Sequence, residues 1–150
     1  MYIENIVERY GSAVYSFALM RLKNPDDAAD VYQNVFLKLF EKKPRFSNEP
    51  QLKSWLMKTT FNFSTDILRK QNRECELSDD IAVNDKEYDG FYDRIDALPE
   101  KYRYVLYLHY GEDMKISDIS KVLGISVGGV KSRLSRARKM LKEEILNEDK

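Results

Sequence analysis

Apolar residues recur at intervals of three and four along nearly the whole chain, which is the spacing of one face of an α-helix. The most regular stretch lies near the end of the sequence. Its apolar positions are Val127, Val130, Leu134, Ala137, Leu141 and Ile145. Because no segment of note alternates between apolar and polar residues as a half-buried strand does, the sequence predicts an all-α fold.

Three stretches of this kind in the first half predict three helices packed in a small bundle of three or four helices. Their apolar positions are Ile3, Ile6, Val7, Tyr10, Val14, Phe17 and Ala18, then Ala28, Tyr32, Val35, Phe36 and Leu39, then Leu52, Trp55, Leu56, Thr59, Phe63 and Ile67. Asn24 and Pro25 suit the N-cap and first position of the second helix. Residues 44–50, with a proline at each end, predict the loop before the third helix. We expect Trp55 to lie in the core.

The helical pattern stops after Arg73, and we interpret residues 73–86 as a linker. The surrounding segment, residues 75–96, carries eight acidic and two basic side chains. A second helical set is predicted from Glu87 onwards, with a helix junction at Leu98-Pro99. The sequence therefore predicts two small helical domains, residues 1–72 and 87–146, joined by an acidic linker.

Charge is balanced over the chain, with 25 basic and 25 acidic residues, but its distribution is uneven. The segment from Ile119 to Lys142 contains seven basic residues and no acidic residue. A local positive field of this kind suits a polyanionic partner such as nucleic acid.

The other chemistry-bearing residues exclude several classes of protein. A single cysteine, Cys75, and a single histidine, His109, exclude an internal disulfide and a Cys/His zinc site, and the sequence predicts no metal or other cofactor. No nucleophile–base pair is apparent, so we do not expect an enzyme. No apolar run is long enough to span a membrane and no secretory signal is apparent, so the expected location is the cytoplasm.

Residues 117–138 form a helix-turn-helix pattern. Ile119, Val122 and Leu123 would bury the first helix, and Gly124 suits a turn residue with positive φ. Ser126 can cap the second helix, whose Val130 and Leu134 would face inward. The outer face would carry Lys131, Ser132, Ser135 and Arg136 for a major groove, and Arg133, Arg138, Lys139 and Lys142 for phosphates. The alternative is an ordinary solvated basic helix, but the turn, the cap and the acid-free run favour DNA.

Several segments together resemble the sigma-70 family of RNA polymerase sigma factors, of the short extracytoplasmic-function (ECF) type. Residues 98–110, LPEKYRYVLYLHY, followed by the helix-turn-helix ending in VKSRLSRARK, resemble region 4 of that family. Residues 27–36, DAADVYQNVF, resemble the region 2 helix. Residues 54–62, SWLMKTTFN, with 66–70, DILRK, resemble the promoter-melting helix. The resemblance covers about residues 8–145, with its two halves in the expected order.

The resemblance implies roles for residues of the first domain. Asp30, Gln33 and Asn34 would bind the clamp helices of the polymerase β′ subunit, although an acid is usual where Asn34 stands. The loop residues Arg45, Phe46, Ser47 and Asn48 would hold a flipped-out base of the minus-ten element; an ordinary loop with Phe46 in the core is the alternative. The displaced strand would contact Lys53, Lys58, Asn62, Arg69 and Lys70. Phe61 stands where the family often has a basic residue.

For the second domain, the resemblance implies that the recognition helix reads the minus-thirty-five element. The reading residues would be Lys131, Ser132, Ser135 and Arg136, with Arg133, Arg138 and Lys139 on phosphates. Implied partners are core RNA polymerase, through the β′ clamp helices and the β flap, promoter DNA, and an anti-sigma factor of unspecified identity. The leading hypothesis is a sigma factor, and the alternative is a stand-alone helix-turn-helix regulator that acts without polymerase.

Overall fold

A computed structural model of the protein describes residues 3–75, 95 and 97–148. Within these ranges all regular structure is helical, as the spacing of apolar residues predicts. The chain divides into two compact units, Met1–Asn84 and Asp85–Lys150, which are described separately below. In the described ranges, no helix is both long enough and apolar enough to cross a membrane, and no three metal-binding side chains cluster.

The first unit contains α1 (Ile3–Leu22), α2 (Pro25–Lys42) and α3 (Glu49–Cys75). Each of these helices packs against the other two, which makes a three-helix bundle. Its fully buried side chains include Val14, Phe17, Val31, Val35, Leu52 and Leu56. The inward face of α2 includes Val31, while Tyr32, which the sequence pattern placed there, is half-buried.

The ends of α2 follow the predicted capping chemistry. The Oδ1 atom of Asn24 accepts hydrogen bonds from the backbone N–H groups of Asp26 and Asp27, at 2.9 and 3.2 Å, and Pro25 is the first helical residue. These contacts satisfy two of the N–H groups that a helix start leaves without intrahelical partners. At the other end, Lys43 is left-handed, with φ of 44°.

The loop before α3 is shorter than predicted. The sequence places residues 44–50 in this loop, whereas α3 begins at Glu49 and includes Pro50. Asn48 is the reason, because its Oδ1 accepts a 2.9 Å hydrogen bond from the backbone N–H of Gln51 and so caps the helix. Pro50 fits the first turn, where its missing N–H would have no intrahelical partner.

A buried arginine, which sequence analysis missed, connects α1 to α3. Arg21 is 7% exposed, and its Nη1 donates to the carbonyl of Phe61 at 2.7 Å, to Thr65 Oγ1 at 2.9 Å and to the hydroxyl of Ser64. The guanidinium carbon lies 4.0 Å from the centroid of the Phe61 ring. Carbonyl, hydroxyl and ring face thus replace water around this buried charge.

The helix α3 continues through Cys75, so residues 73–75, which we assigned to the linker, are helical. The rest of the predicted linker, residues 76–86, and the predicted start of the second helical set at Glu87 lie outside the described residues.

The second unit contains α4 (Glu100–Leu106), a π-helical turn (Tyr107–Gly111), α5 (Ile116–Leu123) and α6 (Val127–Glu148). Pro99 directly precedes α4, at the predicted junction. The core includes Ile95, Val105, Leu106, Leu108, Ile119, Val130 and Leu134. One predicted position differs, because Val127 begins the apolar pattern of α6 but is 42% exposed.

The π-helical turn was not predicted. Its backbone is closed by a 3.0 Å bond from the N–H of Glu112 to the carbonyl of Tyr107, one residue longer than the α-helical interval. Tyr107 is 1% exposed, and its hydroxyl donates to Glu112 Oε1 at 2.7 Å. The wider turn therefore follows α4 and is closed by two hydrogen bonds between Tyr107 and Glu112, with Tyr110 and Gly111 between these two residues.

Candidate nucleic-acid and protein interfaces

The helix-turn-helix of the second unit has the predicted local geometry. Gly124 ends α5 with φ of 68°, a left-handed conformation that costs glycine less than any other residue. Ser126 Oγ accepts a 3.0 Å hydrogen bond from the backbone N–H of Gly129, which caps α6. Val130, Leu134 and Ala137 are at most 1% exposed. The face of α6 that carries these three residues is therefore buried, and the opposite face is exposed to solvent.

The predicted reading residues share that solvent-exposed face. Lys131, Ser132, Ser135 and Arg136 are all exposed, at helical spacings of one, three and one. Of the residues predicted to contact phosphates, Arg138, Lys139 and Lys142 are exposed, whereas Arg133 is half-buried. The face is positively charged over its whole length, which is the electrostatic condition for binding a DNA backbone.

Two tyrosines outside α6 interact with two arginines of this helix. Arg138 donates from Nε to the hydroxyl of Tyr110 at 2.5 Å. The neighbouring Arg136 guanidinium lowers the pKa of Tyr102 against an opposing contribution from burial, because the cation favours the ionised phenol. Neither tyrosine was singled out in the sequence, since each lies more than 25 residues from its arginine and no local pattern joins them.

The loop of residues 43–48 in the first unit borders a cavity of ≈ 790 Å³. Its walls are formed by Ile6, Leu39, Lys43, Pro44, Arg45, Phe46, Ser47, Asn48, Glu49 and Leu52. Phe46 is half-buried at the cavity wall, and its ring meets that of Trp55 edge-on, with centroids 6.1 Å apart. The expectation that Trp55 lies in the core is wrong, because Trp55 is half-buried beside this loop.

A pair of amide side chains holds the loop. Gln51 Oε1 accepts a 2.8 Å hydrogen bond from the backbone N–H of Ser47, while Asn48 Oδ1 accepts the bond from the N–H of Gln51. The arrangement is close to a capping box, and an Asn followed three residues later by Gln is the sequence signal that could have found it. Because both amide oxygens are bonded to backbone N–H groups, the remaining polar atoms of these side chains are donors.

One wall of the cavity is joined to α1 by an ion pair. Arg9 and Glu49, with side chains 59% and 47% exposed, form this pair between α1 and the start of α3. Burial, and then the neighbouring Glu49 carboxylate, raise the pKa of Tyr10 above its ordinary value. The loop is thus anchored at its α3 end, and Arg45, Ser47 and Asn48 are exposed beyond it.

The structure brings together only part of the set predicted to contact the displaced strand. Lys58, Asn62 and Arg69 are exposed and share one face of α3, at spacings of four and seven residues. Lys70 is exposed but turned about 100° from its neighbour Arg69 by the helical step. Lys53 is half-buried on another face.

The predicted polymerase-binding residues form part of a larger exposed face on α2. Asp30, Gln33 and Asn34 are all exposed at spacings of three and one. The same face continues with Leu37 and Phe40, whose exposed fractions are 54% and 59%. Sequence analysis missed these two residues. The signal that could have found them is that both are apolar but lie outside the apolar pattern that predicts the buried face of α2.

Comparison with known protein families finds two matches, which follow one another along the chain in the order that the sequence analysis predicts. The family model for sigma-70 region 2 matches residues 6–74, and the model for sigma-70 region 4 matches residues 88–141. The chain is 30% identical over 142 residues to the RNA polymerase sigma factor SigV of Bacillus subtilis, covering 90% of this chain and 86% of that protein. It is also 30% identical over 156 residues to the ECF RNA polymerase sigma factor SigM of Bacillus subtilis, covering 95% and 94%.

Two solved structures are also similar to this chain. The sigma factor RpoE of Bartonella quintana, in a complex with the anti-sigma factor NepR, matches with a TM-score of 0.77 and 26% identity, over 95% of each chain. CnrH, in a complex with the cytosolic domain of CnrY, has the same fold, with a TM-score of 0.69 and 24% identity over 99% of this chain and 89% of that one.

Proposed function

Because the chain belongs to the sigma-70 family of RNA polymerase sigma factors, we propose that it binds core RNA polymerase and directs initiation at a subset of promoters. The observation that carries this proposal is that one chain holds both the three-helix bundle, which matches region 2, and the helix-turn-helix with its exposed basic residues on α6. In this role the protein is a specificity subunit of the cytoplasmic polymerase, and it catalyses no reaction of its own.

The two parts of the chain have different binding roles. Residues 1–75 bind core polymerase and the minus-ten element, residues 87–146 bind the minus-thirty-five element, and residues 76–86 link them. Tethering two weak DNA-binding modules raises the effective concentration of each for its own site. A promoter must then present both elements at a compatible distance.

The minus-ten element is bound at the loop of residues 43–48. The half-buried Phe46 beside the ≈ 790 Å³ cavity supplies an aromatic surface for an unstacked base. Arg45, Ser47 and Asn48 are exposed and offer hydrogen-bonding groups to its edge. The displaced strand follows the α3 face formed by Lys58, Asn62 and Arg69, whereas Lys53 and Lys70 project from other parts of the helix surface and lie outside this path.

The minus-thirty-five element is read from the major groove by Lys131, Ser132, Ser135 and Arg136, which share the exposed face of α6. Arg138 and Lys139 are exposed beside them and contact phosphates, and the half-buried Arg133 contributes at the edge of this set. Phosphate contacts fix the position of α6, and the reading residues supply the specificity.

Protein partners bind the remaining exposed faces. The α2 residues Asp30, Gln33 and Asn34 contact the β′ clamp helices, and the second unit contacts the β flap. An anti-sigma factor is a further partner, because the structurally similar RpoE is solved in a complex with the anti-sigma factor NepR.

Core polymerase binding tests this proposal directly. Substituting Asp30 and Gln33 together by alanine removes two exposed polar groups from α2, so we expect at least a tenfold loss of affinity for core polymerase with an unchanged helical content. The measurement is titration of labelled full-length protein with bacterial core polymerase. Ser12→Ala with Ser16→Ala, at two exposed positions of α1, is the matched control. Undiminished binding by the α2 variant would reject these residues as the polymerase contact.

A further inference from the structure

Tyr110 occupies an unusual place for a large aromatic side chain. It lies in the π-helical turn, is 48% exposed, and is in contact with the side chain of Arg138 in α6. The guanidinium carbon of Arg138 lies 5.5 Å from the Tyr110 ring centroid. The His109 ring packs edge-on against Tyr110, with centroids 4.7 Å apart, and His109 Nδ1 lies 3.2 Å from the carbonyl of Met114. The Tyr110 ring is thus in contact with both the His109 ring and the Arg138 guanidinium.

The geometry of the hydrogen bond determines what Arg138 can still do. A guanidinium has five N–H donors in a rigid plane, and Nε supplies one of them. Because Nε binds the Tyr110 hydroxyl at 2.5 Å, the four N–H donors of Nη1 and Nη2 are not used by this contact. One N–H from each of these two nitrogens points from the end of the group, and this pair can form paired hydrogen bonds with a phosphate.

The same contact restricts the motion of a long, exposed side chain. A free arginine side chain has considerable rotamer entropy, part of which is lost when the group is immobilised on DNA. Holding the guanidinium beforehand, by a hydrogen bond and a ring contact, reduces the part that is lost on binding. The benefit appears as affinity, although Tyr110 itself need not touch the nucleic acid.

We propose that Tyr110 is a positioning residue that holds the Arg138 guanidinium ready for a DNA phosphate. This inference rests on the proposed DNA-binding function of α6, and it adds a residue from the π-helical turn to the recognition surface. The π-helical turn has a role in this contact, because it determines the position of Tyr110 relative to α6.

A double-mutant cycle in the full-length chain tests the proposal. The variants are Tyr110→Phe, Arg138→Ala and the combination, and the probe is a short mixed-sequence DNA duplex titrated by fluorescence anisotropy over a series of salt concentrations. We expect Tyr110→Phe to weaken binding by about threefold to tenfold, the range of one hydrogen bond. Arg138→Ala should lower the slope of log affinity against log salt by roughly 0.9, the value for one phosphate contact.

The combined variant separates positioning from other roles. If Tyr110 acts only through Arg138, Tyr110→Phe has no further effect once Arg138 is alanine, and on its own it leaves the salt slope unchanged. Equal losses in both backgrounds would overturn the proposal, because they would mean that Tyr110 contacts DNA itself. Tighter binding by Tyr110→Phe would also overturn it, because the contact would then compete with DNA.

Tyr107→Phe is the matched control, since its hydroxyl donates a hydrogen bond to Glu112 at the end of the same turn. We expect unchanged affinity for this variant, and a loss equal to that of Tyr110→Phe would assign the effect to the stability of the turn. Failure of the unsubstituted chain to bind the duplex at low salt would contradict the DNA-binding function itself, and the inference with it.

Discussion

At the scale of single residues, two arginines of the recognition helix α6 stand out because each interacts with a tyrosine outside that helix. Arg138 donates a hydrogen bond to Tyr110 in the π-helical turn, and Arg136 lowers the pKa of Tyr102 in α4. The sequence alone predicts both arginines to be DNA contacts, because they fall on the outer face of a helix with a buried inner face. It could not identify the tyrosines, because contacts between distant residues depend on how α4 and the turn pack.

Arg136 gives the residue-scale prediction. Its side chain can bond a guanine edge in the major groove, so Arg136→Ala should relax base preference in the minus-thirty-five element, at a cost of about 1–3 kcal/mol for the preferred base. The measurement is selection of bound sequences from a randomised promoter library by the reconstituted holoenzyme.

The matched control for this experiment is Lys121→Ala, an exposed basic residue on α5. Base preference that is the same in Arg136→Ala as in the unsubstituted protein would remove Arg136 from the reading set.

At the scale of elements, the apolar spacing placed each long helix of the described residues correctly, and the Asn24, Gly124 and Ser126 positions marked helix ends by local chemistry. The misplaced features have physical reasons. The loop before α3 is short because Asn48 caps the helix ahead of Pro50. The π-helical turn and the buried Arg21 depend on tertiary packing, which a pattern along the chain does not contain.

The start of α6 gives the element-scale prediction. Gly128 and Gly129 reduce helix stability there, but they differ in the room around them. A Cβ at Gly128 would meet its nearest neighbour, Ser126 Oγ, at 4.0 Å, whereas a Cβ at Gly129 would approach the same atom to 3.2 Å. Gly128→Ala should therefore stabilise the protein by about 0.5–1 kcal/mol, the usual difference in helix propensity, and Gly129→Ala by less.

Thermal unfolding followed by circular dichroism, with both variants beside the unsubstituted protein, checks this order. A larger gain for Gly129→Ala than for Gly128→Ala would contradict the described position of the Ser126 side chain.

At the scale of the whole molecule, function depends on having two different units in one chain. The resemblance seen in the sequence identified both, and the region 2 and region 4 models match residues 6–74 and 88–141. The exposed apolar pair Leu37 and Phe40 was missed, although it continues the face of Asp30, Gln33 and Asn34. A stand-alone regulator would need the helix-turn-helix alone, and would have no use for the cavity beside Phe46 or for this face of α2.

The most direct test of the central proposal is run-off transcription with purified protein, bacterial core polymerase and fragmented genomic DNA, with the transcript ends sequenced. We predict defined start sites that appear only when the protein is added, preceded by two shared elements at constant spacing. Added protein that binds duplex DNA but produces no new start sites would contradict the account and favour a regulator that acts without polymerase.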